Sequence, residues 1–204
     1  EDLLDTKGRF GAEACLITSA SSKTSIALAH CVHQRGEMAG IGLTSPGNVA
    51  FCERLGCYDK VVTYDAIASL DAARPVVMVD MAGSAEVRRT AHHHFADNMK
   101  FSLQVGITHY DETGSADGLT VEEDLPGATP EFFFAPGHVQ TRSAELGAAE
   151  LMRRLTEAYV GFRQFSDGWL RIEESIGPEA VEQTYQAVLA GKTDPASGQI
   201  LSMD

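Results

Sequence analysis

Short apolar runs alternate with helical patterns along the first half of the chain, and this alternation restricts the fold more than any other feature. The runs occupy residues 14–18, 38–43, 60–63, 75–80 and 100–105. Between these runs, apolar residues recur at the spacing of a helix, as in the stretch from Lys23 to Arg35. Runs of β-branched residues separated by helices indicate βαβ units, whose parallel strands are buried on both faces. We therefore predict an α/β fold built on a parallel sheet.

The composition of the chain limits the kinds of partner that it can bind. The 204 residues are 44% apolar and 22% charged, which suffices for one sizeable core. A net charge of -13 argues against nucleic acid or an anionic membrane surface as a partner. No apolar run approaches the roughly 20 residues that span a bilayer, and the first residues lack the features of a signal peptide. We expect a cytoplasmic protein that binds a small molecule.

The turn after the first run, from Ser19 to Ser25, contains no glycine. Ligands of open parallel sheets bind beyond the carboxyl ends of the strands, where dinucleotide folds use glycines so that the backbone can approach a pyrophosphate. Here Ser25 would replace the glycine that packs the helix on the strand. Hydroxyl groups and one cation would then bind the phosphate oxygens, and they belong to Ser21, Ser22, Lys23 and Thr24.

Two other interpretations of this turn stay open. In the first, the turn is only a helix N-terminus with a serine cap and a solvated Lys23. In the second it is a Walker A loop of a nucleotide hydrolase, in which Lys23 and Thr24 fit the end of the motif although both of its glycines are absent.

The end of the second run favours one dinucleotide over another. An NAD site usually carries an Asp or Glu there to bind the ribose hydroxyls, whereas this run ends in Thr44 and Ser45, with Asn48 just beyond. Hydroxyl and amide groups accept a 2'-phosphate, and no carboxylate repels it. We therefore predict NADP(H) as the cofactor. Asn48 is also a suitable N-cap for the helix that follows, and the two roles are compatible.

Other polar residues carry weaker signals. Three consecutive histidines, residues 92–94, point about 100° apart on a helix and cannot share a face, so we expect a solvated helix end. Asp80 is either a catalytic carboxylate or the cap of the following turn. His109 and Tyr110 are weak catalytic candidates at the end of the fifth run, where a proton donor would be useful. The four scattered cysteines include no CxxC pair, and we predict no metal site.

Several stretches together resemble one known superfamily. They are "GAEACLITSASSKTSIALA", "GLTSPGNVAFCERLGCYDKVVTYD", "VVMVDMAGSAEVRRTAHHHF", "VGITHYD" and the closing "EQTYQAVLAGKTDPASGQIL". They resemble the cofactor domain of the medium-chain dehydrogenase/reductase superfamily, near the quinone oxidoreductases, and more closely an uncharacterised bacterial and fungal branch of it. This resemblance implies a Rossmann-like doubly wound sheet over residues 1–140. It further implies that residues 141–204 return toward an N-terminal GroES-like barrel domain that this chain lacks.

The resemblance also implies roles for particular residues. Ala82 and Gly83 would line the adenosine side of the cofactor. Gly106, Thr108 and His109 would approach the nicotinamide. A strand from Glu131 to Ala135 would be the edge through which two copies form a homodimer, which would also protect an aromatic edge from aggregation.

These observations lead to two functional hypotheses. The first is an oxidoreductase that transfers a hydride from NADP(H) to a small carbonyl, enone or quinone without zinc. The second is a degenerate dehydrogenase that serves as a nucleotide-sensing or scaffold protein, because the loss of the loop glycines weakens the expectation of tight cofactor binding. A nucleotide hydrolase ranks third.

Overall fold

The computed structural model of the protein describes residues 1–105 and 125–203. By its internal contacts the chain divides into two compact units, Glu1–Thr156 and Glu157–Asp204. The division predicted after residue 140 concerned packing on a further domain and stays a prediction.

A parallel sheet forms the centre of the first unit. Among the described residues it has six strands in the order β3-β2-β1-β4-β5-β6, all parallel to their neighbours. This is the strand order of a dinucleotide-binding Rossmann fold, in which the winding reverses between β1 and β4. The predicted Rossmann-like α/β fold is therefore confirmed. The strands are β1 (Ala14–Ile17), β2 (Ala39–Thr44), β3 (Lys60–Thr63), β4 (Val76–Asp80), β5 (Met99–Gln104) and β6 (Glu131–Phe132).

Helices lie before, between and after these strands. They are α1 (Asp2–Thr6), α2 (Lys23–Arg35), α3 (Val49–Arg54), α4 (Ala85–Phe95) and α5 (Ala135–Leu146), followed by α6 (Ala148–Ser166), within which the two units divide. Short 3-10 turns lie at Gly8–Gly11, Pro46–Asn48, Tyr64–Ser69 and Ala96–Asn98. Among the described residues, none of the helices combines the length and apolar character needed to cross a membrane.

Local sequence explains the position of helix α2. Its N-cap is Ser22, whose hydroxyl accepts a hydrogen bond from the amide of Ser25 at 3.2 Å. It ends at Gly36, which adopts the left-handed conformation (φ +67°) and donates its amide to the carbonyl of Val32. The predicted helix from Lys23 to Arg35 is confirmed at both ends.

The core lies where helices cover the central strands. Strands β1 and β4 are buried over their whole length, as expected for parallel strands covered on both faces. One cluster of buried apolar side chains joins the sheet to the helices, and it consists of Ala14, Leu16, Ile41, Leu43, Val62, Ile67, Leu70, Val76, Met78, Ala91, Phe95 and Met99.

Three predictions for the later part of the chain are wrong, and the third of them concerns the second unit. The strand expected from Glu131 to Ala135 covers only Glu131–Phe132, because Pro136 stands in the first turn of α5, which begins at Ala135. The sequence pattern predicts one long helix from Ser143 to about Phe165, whereas the structure has two helices, α5 and α6. They are separated at Gly147, whose φ of +82° is outside the helical range.

The second unit contains a pair of parallel strands around a helix. Strand β7 (Arg171–Ile176) pairs with β8 (Ser197–Ser202), and α7 (Pro178–Leu189) connects them. The apolar residues from Trp169 to Ile172 predict a strand there, which is too early in the chain, since Trp169 and Leu170 form the turn after α6. Several apolar side chains of these elements are exposed, among them Ile172, Ile176, Val188, Leu189 and Ile200.

Candidate functional site

The loop between β1 and α2 occupies the point where the strand order reverses. Its half-buried first residue, Ser19, has a φ of +51°, in the left-handed region that a residue with a Cβ adopts only at a cost. The amide of Ser22 then donates to the carbonyl of Ser19 at 2.7 Å and closes a tight turn. A serine thus adopts a conformation for which glycine is the usual residue.

Side chains and backbone from the β2–β3 side of the sheet fix this turn. The hydroxyl of Tyr64 accepts the amide of Ser19 at 3.0 Å, and the hydroxyl of Tyr58 donates to the carbonyl of Ala20 at 2.8 Å. The amide of Ala20 donates to the carbonyl of Leu43 at 3.0 Å. These bonds engage the amides of Ser19 and Ala20 and the carbonyl of Ala20, which come directly after Thr18.

Ser25 has the position expected of it. It is buried in the first turn of α2, and its hydroxyl donates to the carbonyl of Thr18 at 2.8 Å while accepting the hydroxyl of Ser22 at 2.8 Å. The hydroxyl of Ser22 therefore caps the helix and bonds within the turn. Phosphate binding by Ser22, one of the predicted contacts, would compete with both of these bonds.

Residues from the turns after β1 and β2 meet at one point. The side-chain amide of Asn48 donates to the hydroxyl of Ser21 at 3.1 Å and to that of Ser45 at 3.2 Å. Asn48 stands at the N-cap position of α3 as predicted, but its side chain makes no capping bond to that helix. Three predicted cofactor residues are thus adjacent, although Ser21 and Asn48 are 27 residues apart in the sequence.

Lys23 and Thr24 are the exposed residues in the first turn of α2. The first amides of a helix have no acceptor within the helix, and the helix dipole adds partial positive charge there. Together with the Lys23 ammonium group they favour an anion at this end of α2. Thr44 differs from them, because it is buried and its side chain bonds to that of Cys52.

A buried ion pair organises the turn after β4. Asp80 and Arg88 are each 1% exposed, and an Asp80 carboxylate oxygen lies 3.2 Å from the Arg88 guanidinium. The other carboxylate oxygen accepts the hydroxyl of Thr18 at 2.7 Å and the amides of Ala82 and Gly83 at 3.0 Å each. Of the two roles considered for Asp80, the structure shows the cap of the turn. The two predicted adenosine-side residues are buried around it.

A family model matches residues 1–194, and its description is a protein of unknown function, DUF2855. The chain belongs to the DUF2855 family. No match to a curated protein was found.

Three solved structures with a similar fold are distant from this DUF2855 chain in sequence. The yhdH oxidoreductase from Salmonella enterica, in complex with NADP, is 12% identical with a TM-score of 0.59, over 100% of this chain and 58% of that one. CurA from Vibrio vulnificus, in complex with NADPH, is 12% identical with a TM-score of 0.60, over 99% and 60%. The quinone oxidoreductase from Coxiella burnetii is 15% identical with a TM-score of 0.56, over 95% and 54%.

These similarities agree with the Rossmann-like α/β fold of the DUF2855 chain and show its fold alone. The chain spans little more than half of the length of these proteins. The NADP and NADPH in two of these structures are ligands of those proteins.

The polar groups of the chain fit a dinucleotide in part. The groups that favour binding are the Lys23 ammonium group, the first amides of α2 and the cluster of Ser21, Ser45 and Asn48. The segment between β2 and α3 also holds no carboxylate. Against this, the amides of Ser19 and Ala20 already have acceptors within the protein. A diphosphate would therefore bind to side chains and the helix N-terminus more than to the loop backbone.

The expectation of a solvated helix end at residues 92–94 is wrong for His92, whereas His93 is exposed and His94 is half-buried. His92 is fully buried, with its ring nitrogens 2.9 Å from the carbonyl oxygen of Pro126 and 2.9 Å from the hydroxyl of Ser102. His94 contacts the carbonyl of Leu70 at 2.9 Å. Among the described residues, no group of three or more His, Cys, Asp and Glu could hold a metal ion.

The nicotinamide-side and catalytic candidates lie outside the described residues. They are Gly106, Thr108, His109 and Tyr110, and they stay predictions.

Three residues that shape the site were not predicted from the sequence. They are Tyr58 and Tyr64, which fix the loop, and Arg88, which neutralises Asp80. No local pattern marks them, since each acts on a segment that is distant in the sequence or buried in the fold.

Proposed function

We propose that the chain is the cofactor-binding part of an NADP(H)-dependent oxidoreductase that reduces a small carbonyl, enone or quinone. The observation that supports this most is the contact of Asn48 with Ser21 and Ser45. It joins the turns after β1 and β2, which in a Rossmann fold bind the diphosphate and the adenine ribose respectively.

In this proposal each group of residues has a defined task. Lys23 and the amide of Thr24 bind the diphosphate at the N-terminus of α2. Ser45 and Asn48 bind the 2'-phosphate, whose charge meets no carboxylate in that turn. The bound nicotinamide supplies the hydride. His109 and Tyr110 are the proposed sources of a proton for the reduced substrate.

Titration of the intact protein with NADPH, NADH and ATP tests this proposal. We expect NADPH to bind more tightly than NADH. Lys23→Ala should weaken NADPH binding about tenfold, the cost of one charge-assisted hydrogen bond. The matched control is Lys192→Ala, an exposed lysine after α7, which should leave binding unchanged. No binding of either dinucleotide at millimolar concentration would refute the proposal.

One substitution tests the 2'-phosphate assignment separately. Asn48→Asp places a carboxylate where an NAD site has one, so it should repel the 2'-phosphate and accept a ribose hydroxyl. The expected result is weaker NADPH binding with NADH binding retained or improved. Equal loss of both cofactors would contradict the assignment of this turn.

A second candidate function is nucleotide sensing without turnover. It is favoured by the two loop amides, of Ser19 and Ala20, that bond within the protein and so offer no donor to a diphosphate. Reduction assays with a panel of carbonyls, enones and quinones separate the two functions. NADPH binding with no reduction of any compound supports sensing, whereas turnover supports the oxidoreductase.

We also propose that two copies associate through the short edge strand β6. The residues that support this are Phe132 and Phe134, which are 40% and 62% exposed. Phe134→Asp adds a charge to the edge, and Asp is a favoured N-cap, so α5 should keep its start. Light scattering should show a dimer that this variant converts to a monomer. A monomeric wild-type protein would refute the association.

A further inference from the structure

The glycine-free loop keeps its shape through two tyrosines that come later in the sequence. Tyr64 and Tyr58 approach the loop on consecutive residues, Ser19 and Ala20. One hydroxyl accepts an amide and the other donates to a carbonyl, so the pair fixes both polar groups of a short piece of backbone. Loops that contain glycine need no such support, because glycine enters the left-handed region without strain.

Burial keeps the hydroxyl groups of Tyr58 and Tyr64 protonated. Tyr58 is 9% exposed, and burial raises the pKa of its hydroxyl far above the usual value. Burial also raises the pKa of Tyr64, although its hydrogen bond from Ser19 acts in the opposite direction. Both hydroxyl groups therefore stay protonated throughout the physiological range, and the Tyr58 hydroxyl remains a donor to the loop.

A glycine is present beneath the loop rather than in it. A Cβ on Gly42 of β2 would lie 3.0 Å from the Cβ of Ala20 and 3.0 Å from Cδ1 of the Tyr58 ring. These distances are shorter than ordinary van der Waals contacts, so a larger residue at position 42 would require Ala20 or the Tyr58 ring to shift. The loop can therefore rest on β2 and come within reach of the Tyr58 hydroxyl.

We propose that Tyr64 is a positioning residue for cofactor binding, assisted by Tyr58, and that its hydrogen bond holds Ser19 in the left-handed conformation that glycine provides elsewhere. This inference rests on the proposed function, since the loop held in this way is the one assigned to the diphosphate. Ser22 and Lys23 come three and four residues after Ser19, and the Ser22 amide donates to the Ser19 carbonyl, so a change at Ser19 would turn the start of α2 away from its present position.

The test is the loss and recovery of NADPH affinity in the intact protein. Tyr64→Phe keeps the ring and removes the acceptor of the Ser19 amide, so NADPH affinity should fall about tenfold. Adding Ser19→Gly should restore it to within about threefold of wild type, because glycine holds a positive φ without the hydrogen bond. Tyr185→Phe, which removes an exposed hydroxyl from α7, should change nothing.

Recovery distinguishes positioning from a general loss of stability. A residue that only contributed to the fold would not be compensated by a glycine elsewhere. If Tyr64→Phe binds NADPH like wild type, or if the double variant binds no better than Tyr64→Phe while both melt as folded proteins, the inference is wrong.

Hydrogen–deuterium exchange of residues 18–25 without ligand tests the same inference if wild type binds no NADPH. Tyr64→Phe should speed exchange in this segment, and Tyr185→Phe should not. Absence of NADPH binding together with this acceleration refutes the proposed function but keeps the positioning role. An unchanged exchange rate in Tyr64→Phe refutes the positioning role whether or not NADPH binds.

Discussion

The buried pair of Asp80 and Arg88 provides the sharpest prediction about stability. Each side chain is 1% exposed, and the carboxylate also accepts hydrogen bonds from Thr18, Ala82 and Gly83. Asp80→Asn keeps the shape of the side chain but removes the charge that faces the guanidinium. Arg88→Met keeps much of the volume and leaves the carboxylate without its cation.

Each single substitution should lower the free energy of unfolding by about 3 kcal/mol or more, because removing one partner leaves an uncompensated buried charge. The double variant, Asp80→Asn with Arg88→Met, should cost about 2 kcal/mol less than the sum of the two, since no isolated charge remains. The matched control is Arg171→Met. Its partner Asp194 lies at 2.6 Å, but both side chains are about half exposed, so the loss should stay within about 1 kcal/mol.

Urea unfolding followed by circular dichroism measures these quantities. The midpoint should shift in each single variant and recover partly in the double variant, with the slope unchanged. Additive losses in the double variant would show that the two groups act independently. In that case the argument that the pair holds the turn after β4 through charge neutralisation would be refuted.

The remaining predictions concern other parts of the first unit. Gly42→Ala should cost about 1–3 kcal/mol in urea unfolding, because the new methyl group overpacks the loop contact. Ser19→Gly alone should change stability by less than about 0.5 kcal/mol, since relief of strain and the entropy of glycine offset each other. At pH 8, Ellman's reagent should modify Cys31 first, since it is only half-buried. Burial raises the pKa of Cys31 as well, but it raises the pKa of the three buried thiols to about 11 or 12. They are Cys15, Cys52 and Cys57. Burial tends to raise the pKa of Asp2, but hydrogen bonds and charges of the α5 side chains lower it below 3.8. The stability it contributes is present above that pH and is lost as the pH falls further, which an acid titration by circular dichroism would show.

The sequence is sufficient to predict the parts of the fold that depend on local residue patterns. Alternating runs and helices predict the βαβ units, and Ser22 and Gly36 mark the ends of α2 where the structure has them. The meeting of Ser21, Ser45 and Asn48 could also be anticipated, because turns after adjacent parallel strands lie at the same edge of a sheet.

The contacts that shape the site could not be predicted in this way. Ser19 bonds to Tyr64 across 45 residues, and Thr18 bonds to Asp80 across 62. Neither pairing leaves a periodic trace in the sequence. The burial of His92 was missed for a related reason, since its partners Ser102 and Pro126 belong to other segments of the chain. The predicted edge strand was too long because the aromatic run outweighed the helix-initiating Pro136.

A crystal structure of the protein grown or soaked with saturating NADPH tests the central claim most directly. The account predicts the diphosphate at the N-terminus of α2, in contact with Lys23 and the amide of Thr24. It also predicts the 2'-phosphate beside Ser45 and Asn48. A structure in which NADPH is absent at saturation, or binds away from these two turns, would contradict the account.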